Sequence, residues 1–525
     1  MKNSFNPLHQ FSPGENTLDQ NKELIEWYLS NDFESYRSFV NQYPSTHWMK
    51  KGEERALEVF HLASKKVPAY KHFLEKNSVD PQKILTTEDF KNEVPVIDKK
   101  NYITQYGLDE MSWDGKLLSN SMTSFSSGTS GTQCYWPRST FQDIEGAFMF
   151  EQFLCSVFQM HKKKTLFVLC FALGNYVAGT YVLSCLNYMS MKGYPFMVVS
   201  PGISQEDALR MITKLSPDFE QTILCGYPPL LRDLIHTGKK AKLNWEKLSL
   251  RFLFSSELFS EVWRERVLIE AGTDLELRNS TNLYGTADAT LFGMEHPIDM
   301  LVRKEAFRDL GYHMELFGSE LTPTFVQYNP MLRYFELVGE ELVLTSFSGL
   351  PLVRYNLHDQ GGILSQELLI SKSSEQGLDL QHELKKNDCL DTVYNLPHVF
   401  IFGRTDGTVS FYGLLIHPEY IKTGLEDNEI QHLVTGKFTM SVEQDKHLSP
   451  KLIISIELAP EITLNEEIEK IILKRMMKKV RLRSAEYNRL VEALGKKAHP
   501  VLKISEYGKD STFQISIKQR WIKRT

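Results

Sequence analysis

From residue 17 to about 110, apolar residues recur every three or four positions, as in "NKELIEWYLS", "ESYRSFVNQY" and "EERALEVFHLASKKV". That spacing predicts a mostly helical region. It closes on "VPVIDKKNYI", where Asp98, Lys99, Lys100 and Asn101 make a polar stop. Between 165 and 285 the rhythm changes. "TLFVLCF" predicts a short apolar strand, followed by a helical pattern from Tyr176 to Met191. The alternation continues through strand "FMVVS", helix "SQEDALRMITKL" with Ser204 as its N-cap, strand "QTILCGY" and helix "PPLLRDLIHTG", stopping at Gly238. Strand "LRFLFSS", helix "SEVWRERVLIEAG" and strand "LELRNSTNLYG" complete it. Strands alternating with helices of this length predict a mostly parallel sheet covered on both faces. Ligands of such sheets gather beyond the carboxyl ends of the strands. The loops there, "ALGNY", "SPGIS", "GYPP", "SSELFS" and "YGTAD", are small, polar or aromatic, as a binding rim requires.

Further on, "ELVLTSF" and "LPLVRYNLHDQGGILS" read as strands and turns, and residues 371–390 are polar enough for a surface insertion. The last 120 or so residues mix a strand, "KLIISIELA", with a charged helix, "LNEEIEKIILKRMMKKV". Gly/Asp turn signals put a boundary near Gly403 to Asp406. The fold class is therefore α/β. A large N-terminal domain, 1–403, is helical over about 1–110 and then built on mostly parallel sheets. A small α+β domain, 404–525, follows it.

Composition narrows the function classes. At 525 residues and 42% hydrophobic, the chain is too long for one compact domain. A net charge of −6 argues against a general nucleic-acid binder. The six cysteines form no CxxC pair, so buried free thiols are expected rather than a zinc site or disulfides. The N-terminal "MKNSFNPLHQFSPGENTLDQ" has no apolar core of a secretory signal. The most apolar run, "TLFVLCFALG", is about half a membrane span. A soluble, cytoplasmic protein with no membrane partner is the expectation.

Five stretches carry candidate chemistry. "SMTSFSSGTSGTQCYWPRS", residues 121–139, reads by composition as a linker. Its glycines, Gly128 and Gly131, and hydroxyls, Ser126, Ser127, Thr129, Ser130 and Thr132, also suit an anion-binding nest, although no Walker Lys-Ser/Thr follows. In "NLYGTADATLFG", Tyr284 precedes a turn on Gly285 and Thr286 in which Asp288 offers an oxygen ligand to a divalent cation. In "PLVRYNLHDQGG", Asp359 suits a ribose diol. "GRTDGTVSFYGLLIHPEYI" pairs Arg404 with Asp406 around a turn, and the chain ends on the basic "FQISIKQRWIKRT". Taken singly, each also fits an ordinary linker, strand-end turn, surface ion pair or solvated tail.

Their order is more specific. A Ser/Thr/Gly loop, then YGxx(E/D), RYxxxD, GRxDxxxxxxGxxIxP and a C-terminal lysine resembles the adenylate-forming (ANL) superfamily, and within it the phenylacetate–CoA ligase group. "VPAYKHFLEKNSVDPQKILTTEDFKNEVPVIDKKN" and "ELVLTSFSGLPLVRYNLHD" are similar to that group as well, so the resemblance covers roughly residues 55–525. It implies that Ser126 to Thr132 hold the ATP phosphates. It implies that Ser256, Glu257, Tyr284, Gly285 and Thr286 lie by the nucleotide and that Asp288 stands where the family has a Mg²⁺-binding glutamate. Asp359 would bind the ribose and Arg404 the nucleotide beside the hinge residue Asp406. Lys518 would be the catalytic lysine of a mobile small domain, with Lys523 as its competitor. The acyl pocket would draw on Leu173, Asn175, Tyr176 and Gly179.

Three departures stand out. The glutamate is Asp288, the insertion at 371–390 lengthens the approach to the hinge, and the loop lacks its usual proline and lysine, a charge that Arg138 is placed to supply. The implied activity is ATP- and Mg²⁺-dependent conversion of a small carboxylic acid to an acyl-adenylate by a monomer or homodimer. The acyl group then passes to the thiol of coenzyme A or of a carrier protein's phosphopantetheine. The alternatives are an amine acceptor, suggested by the C-terminal region, and a non-catalytic nucleotide-binding scaffold.

Overall fold

The computed structural model describes residues 18–117, 122–125, 134–174, 177–404, 409–411, 414–444 and 450–513. Helices Leu18–Ser30, Phe33–Val40, Ser45–Lys66, Pro68–Lys76 and Thr87–Glu93 form the N-terminal part. The polar stop has a local cause: the Asp98 carboxylate caps a π-helical turn, Lys99–Ile103, by accepting from the Asn101 amide at 2.6 Å. A hairpin of β1 (Met122–Phe125) and β2 (Tyr135–Arg138) then brackets the Ser/Thr/Gly loop.

The strands that follow are β3 (Thr165–Cys170), β4 (Phe196–Val199), β5 (Gln221–Gly226), β6 (Leu250–Ser255), β7 (Ser280–Thr286), β8 (Thr290–Met294) and β9 (Thr324–Tyr328). After them come β10 (Tyr334–Val338), β11 (Glu341–Ser346), β12 (Leu352–Leu364) and β13 (His398–Arg404). Together they make one 11-stranded sheet in the order β10-β11-β12-β13-β9-β8-β7-β6-β5-β3-β4. The parallel part runs from β4 to β7, and every pairing beyond β7 is antiparallel. The parallel rhythm stops at β7 because the "TAD" turn returns the chain at once, leaving no room for a crossover helix.

Strand β3 shows why a strand inside the parallel sheet is largely apolar. Phe167 and Leu169 enter the core beneath helix Thr140–Phe158 and the N-terminal helices. Leu166, Val168 and Cys170 enter the core on the other face, under helices Gln205–Leu215, Pro228–Lys240 and Glu261–Glu270. The sheet is thus covered on both sides, as an α/β fold requires.

Two expectations change. "LELRNSTNLYG" forms strand only from Ser280, because Asn279 turns back to donate to the Asp274 carbonyl at 2.8 Å. Residues 371–390, expected as a polar surface insertion, lie largely in packed helices. Helices Gln366–Glu375 and Leu380–Lys386 bury Leu369, Leu380, Leu384 and Cys389 in a core shared with Ile298, Val302 and Leu316.

Beyond β13, short strands β14 (Val409–Phe411) and β15 (Leu414–Ile416) precede helix Pro418–Leu425. Strands β16 (Val434–Gln444), β17 (Pro450–Leu458) and β18 (Val501–Ser505) form a three-stranded sheet, covered by helix Glu466–Arg483. Residues from Val409 onward build a core of their own, including Phe411, Phe438, Ile454, Met476 and Tyr487. All six cysteines are buried free thiols. Among the described residues no helix is long and apolar enough to cross a membrane.

Candidate active site

The site lies where β7 ends. Gly285 is required there, since a Cβ would stand 2.4 Å from the Thr290 carbonyl oxygen across the β7–β8 hairpin. Tyr284, just before it, packs its ring against Phe292 and Phe335 at centroid distances of 4.8 and 6.4 Å. Its hydroxyl donates to Asp359 Oδ2 at 2.6 Å, joining two motifs 75 residues apart. Both side chains are buried. Asp359 reaches this position because β12 is irregular: Arg354 and His358 have φ of 50° and 58°, and the register with β13 shifts after Gln360. Asp359 pairs across that ladder with Arg404, whose side chain lies outside the described residues. Thr286 follows Gly285, and its buried hydroxyl has no hydrogen-bond partner among the described residues.

The same hairpin carries Asp288. Its Oδ2 accepts from the Tyr355 hydroxyl at 2.6 Å and faces Lys99 Nζ at 3.3 Å. Lys99 is brought there by "VPVIDKK", which docks on β12: the Ile97 amide donates to the Arg354 carbonyl at 3.0 Å, and the Asn356 amide to the Ile97 carbonyl at 2.8 Å. Cys134, the first described residue after the Ser/Thr/Gly loop, shares this corner. Burial pushes its thiol up, against the pull of Lys99 and with the push of Asp288. Hairpin β7–β8, strand β12, the N-terminal segment and the root of the loop therefore converge.

Among the described residues no group of three or more His, Cys, Asp and Glu stands ready for a metal. A Mg²⁺ held by one carboxylate and substrate phosphates needs no such group; Asp288 is a carboxylate at the loop root whose Oδ2 already faces the Tyr355 hydroxyl and Lys99.

Arg138 does not supply the charge expected of it. It is buried, donating to Asp143 Oδ1 at 2.9 Å and to Ser124 Oγ at 2.8 Å, so it pins β2 to β1 below the loop. Lys99, which the pattern of "VPVIDKKNYI" marks only as a polar stop, is a cation beside the loop root, facing Asp288. Tyr355 was equally hidden, since in the sequence it is one more aromatic within a strand.

At the end of β6, Ser256 is exposed with φ of 75°. The Glu257 carboxylate is buried, accepts from the Tyr227 hydroxyl at 3.2 Å and faces Lys422 Nζ at 3.4 Å. Beyond β3, Leu173 is exposed, and Gly179 is packed so that a Cβ would meet the Ala172 carbonyl at 2.4 Å. Ser126, Ser127, Gly128, Thr129, Ser130, Gly131, Thr132, Asn175, Tyr176, Asp406, Lys518 and Lys523 lie outside the described residues.

The arrangement pairs an aromatic ring and a carboxylate with a second carboxylate–ammonium corner, at the rim where parallel-sheet ligands bind. No known family profile matches the chain, and no curated protein matches it either. Solved structures do. The shared feature is the fold, that of a 2-hydroxyisobutyryl-CoA ligase. A 2-hydroxyisobutyryl-CoA ligase in its postadenylation state with 2-HIB-AMP overlays with a TM-score of 0.62 at 13% identity, covering 92% of this chain and 90% of that one. The same ligase with R3-HIB-AMP gives 0.60 at 12% identity over 92% and 90%. Its open conformation with 2-HIB-AMP and CoA gives 0.53 at 13% identity over 92% and 93%.

Proposed function

We propose that the protein is an AMP-forming acid–thiol ligase. It activates a small carboxylic acid with ATP and passes the acyl group to coenzyme A or, as the related reading, to a carrier protein's phosphopantetheine. The observation that carries this is the hydrogen bond from Tyr284 to Asp359, which gathers the two nucleotide motifs at the rim of the parallel strands. The 2-hydroxyisobutyryl-CoA ligase with its acyl-AMP, and with CoA in its open form, supports the reading through the shared fold. The motif order favours the phenylacetate–CoA ligase group within it.

A carboxylate is a poor acyl donor because oxide would have to leave. In the first step its oxygen attacks the α-phosphorus of ATP, pyrophosphate departs and an acyl-adenylate forms. In the second, a thiolate attacks the acyl carbon and AMP leaves with the bonding electrons. The chain's task is positioning and charge stabilisation. Asp359 takes the ribose hydroxyls, Tyr284 lies along the base, and Ser256, Gly285 and Thr286 line the nucleotide. Ser126 to Thr132 wrap the phosphates, and Arg404 contacts the nucleotide next to the hinge. Asp288 would hold Mg²⁺, which when bound would offset phosphate charge. Leu173, Asn175, Tyr176 and Gly179 border the acyl group. The boundary between a large domain and a mobile small one falls at 403/404, with Asp406 as hinge, and Lys518 meets the phosphates in the first step only.

The test is ATP–pyrophosphate exchange against a panel of carboxylic acids, followed by AMP release on adding coenzyme A. Asp359→Ala is expected to lower exchange by about 100-fold or more, as for a lost charge-assisted contact, and Lys518→Ala to abolish it. Measurable ATP binding with no exchange on any acid would overturn the reading in favour of a scaffold. Acyl transfer to amines but not thiols would overturn the acceptor.

A further inference from the structure

The turn after β6 faces two ways. Ser256 is exposed at the rim, while Glu257, Leu258 and Ser260 just beyond it are gripped by the C-terminal lobe. Glu257 is buried at 2% side-chain exposure against Lys422 at 12%. Lys422 projects from helix Pro418–Leu425 and also donates to the Leu258 carbonyl. Glu426 hydrogen-bonds Ser260 from just past the same helix. Glu419, on that helix, is buried with its carboxyl where a Cβ on Gly403 would stand 2.9 Å away. Three carboxyls, those of Glu257, Glu419 and Glu426, therefore surround one ammonium at the seam between the sheet and the lobe. A second row of contacts lies beside it: Arg232 donates to the carbonyls of Thr435 at 3.1 Å and Gln431 at 3.2 Å, and Lys437 pairs with Asp233 at 2.9 Å.

We infer that Glu257 and Lys422 are positioning residues. They form a latch that holds the C-terminal lobe against the nucleotide-facing turn, and its strength divides the enzyme between its two half-reactions. A buried pair with one partner removed leaves an uncompensated charge, so the latch is close to all-or-none. The Arg232 and Lys437 contacts set where the lobe sits, whereas the Glu257–Lys422 pair ties it to the turn that reads the nucleotide. The division between half-reactions rests on the proposed ligase function. The latch itself does not.

Two measurements test it on the full chain. The first is hydrogen–deuterium exchange over 255–260 and 418–426, in wild type, Lys422→Glu, Lys422→Met and the charge swap Glu257→Lys/Lys422→Glu. Both single variants are expected to raise exchange in both segments by about tenfold, and the swap to restore protection. The second is the rate of each half-reaction. The single variants should move adenylation and acyl transfer in opposite directions by about three- to tenfold, since loosening one lobe orientation favours the other. Unchanged exchange in both variants, or two half-reactions that fall together and are not recovered by the swap, would overturn the latch. Failure of the wild type to exchange pyrophosphate with any acid would instead sink the ligase reading, with the exchange-protection result still deciding the latch.

Discussion

Tyr284 spends its hydroxyl on Asp359 and its ring on Phe292 and Phe335. The two roles can be separated. Tyr284→Phe keeps the ring contacts and removes the donor, and a hydrogen bond to a charged group is worth about 1.5–3 kcal/mol. The expected outcome is a thermal midpoint lowered by a stability loss of that order, together with a rise of about tenfold or more in the KM for ATP; steady-state kinetics beside calorimetry check it. A lower midpoint with an unchanged KM would mean the bond holds the fold rather than the nucleotide. Gly285 and Asp288 show how far a single position is legible. A Gly after a strand-end aromatic announces a tight turn, and the structure gives its reason in the Thr290 carbonyl 2.4 Å from any Cβ. No pattern announces that Asp288 meets Lys99, because these residues lie far apart in the chain and only the docking of Ile97 on β12 joins them.

Elements were legible where both faces of the sheet are buried. The β3, β5 and β6 stretches each carry an unbroken apolar run, Leu166–Cys170, Ile223–Cys225 and Phe252–Phe254, and Ser204 and Ser260 cap their helices as such residues should. Legibility failed where polar residues outnumber the few that pack. Residues 371–390 looked like an insertion, yet Leu380 and Leu384, one helical turn apart, are enough to seat a helix. The helices around that core also carry an acid-sensitive device. His296, at the N-terminus of helix Pro297–Arg308, is buried against Phe153 and Tyr394, with Nδ1 3.0 Å from the Thr392 carbonyl. Burial pushes its pKa down to about 3. His313, in helix Leu310–Phe317, is pushed down to about 4, chiefly by burial. In both, the unfolded chain binds the proton first. Their stability is therefore present above about pH 6.5 and lost as pH falls toward the folded values, at about 1.4 kcal/mol per unit for each histidine. Urea unfolding from pH 7 to 4 should show this loss, and His296→Gln should flatten the slope. An unchanged slope would show that His296 does not titrate between the two states.

For the whole molecule, the separate core from Val409 onward is the feature the sequence announced least directly. Gly/Asp turns marked a boundary, but the seam depends on side chains from helices Pro228–Lys240 and Pro418–Leu425 and from the turn after β6. Glu419 makes that seam sensitive to pH. Burial pushes its carboxyl up to about 7, with Lys422 opposing. Its surroundings are Gly403 and Leu258 from the sheet side and Lys422 on its own helix, with Glu257 and Glu426 around the same ammonium. A raised carboxyl favours the buried state while protonated. Seating of the lobe is therefore firmest near pH 4.5 and weakens as pH rises to about 7, by about 3 kcal/mol in all. Hydrogen–deuterium exchange of 418–426, corrected for intrinsic rates, is expected to accelerate over that window. Glu419→Gln should abolish the dependence, and a wild type without it would show that Glu419 does not sense the seam.

The six cysteines have a practical consequence. Burial pushes the thiols of Cys155, Cys170, Cys185, Cys225 and Cys389 up, and the same holds for Cys134 at the loop root. Thiolate is the reactive form, so the native fold offers alkylating reagents little to attack. A cysteine introduced on the surface of each lobe would then be the preferred attachment point for a fluorophore. The wild-type background is quiet enough to test for lobe motion one molecule at a time.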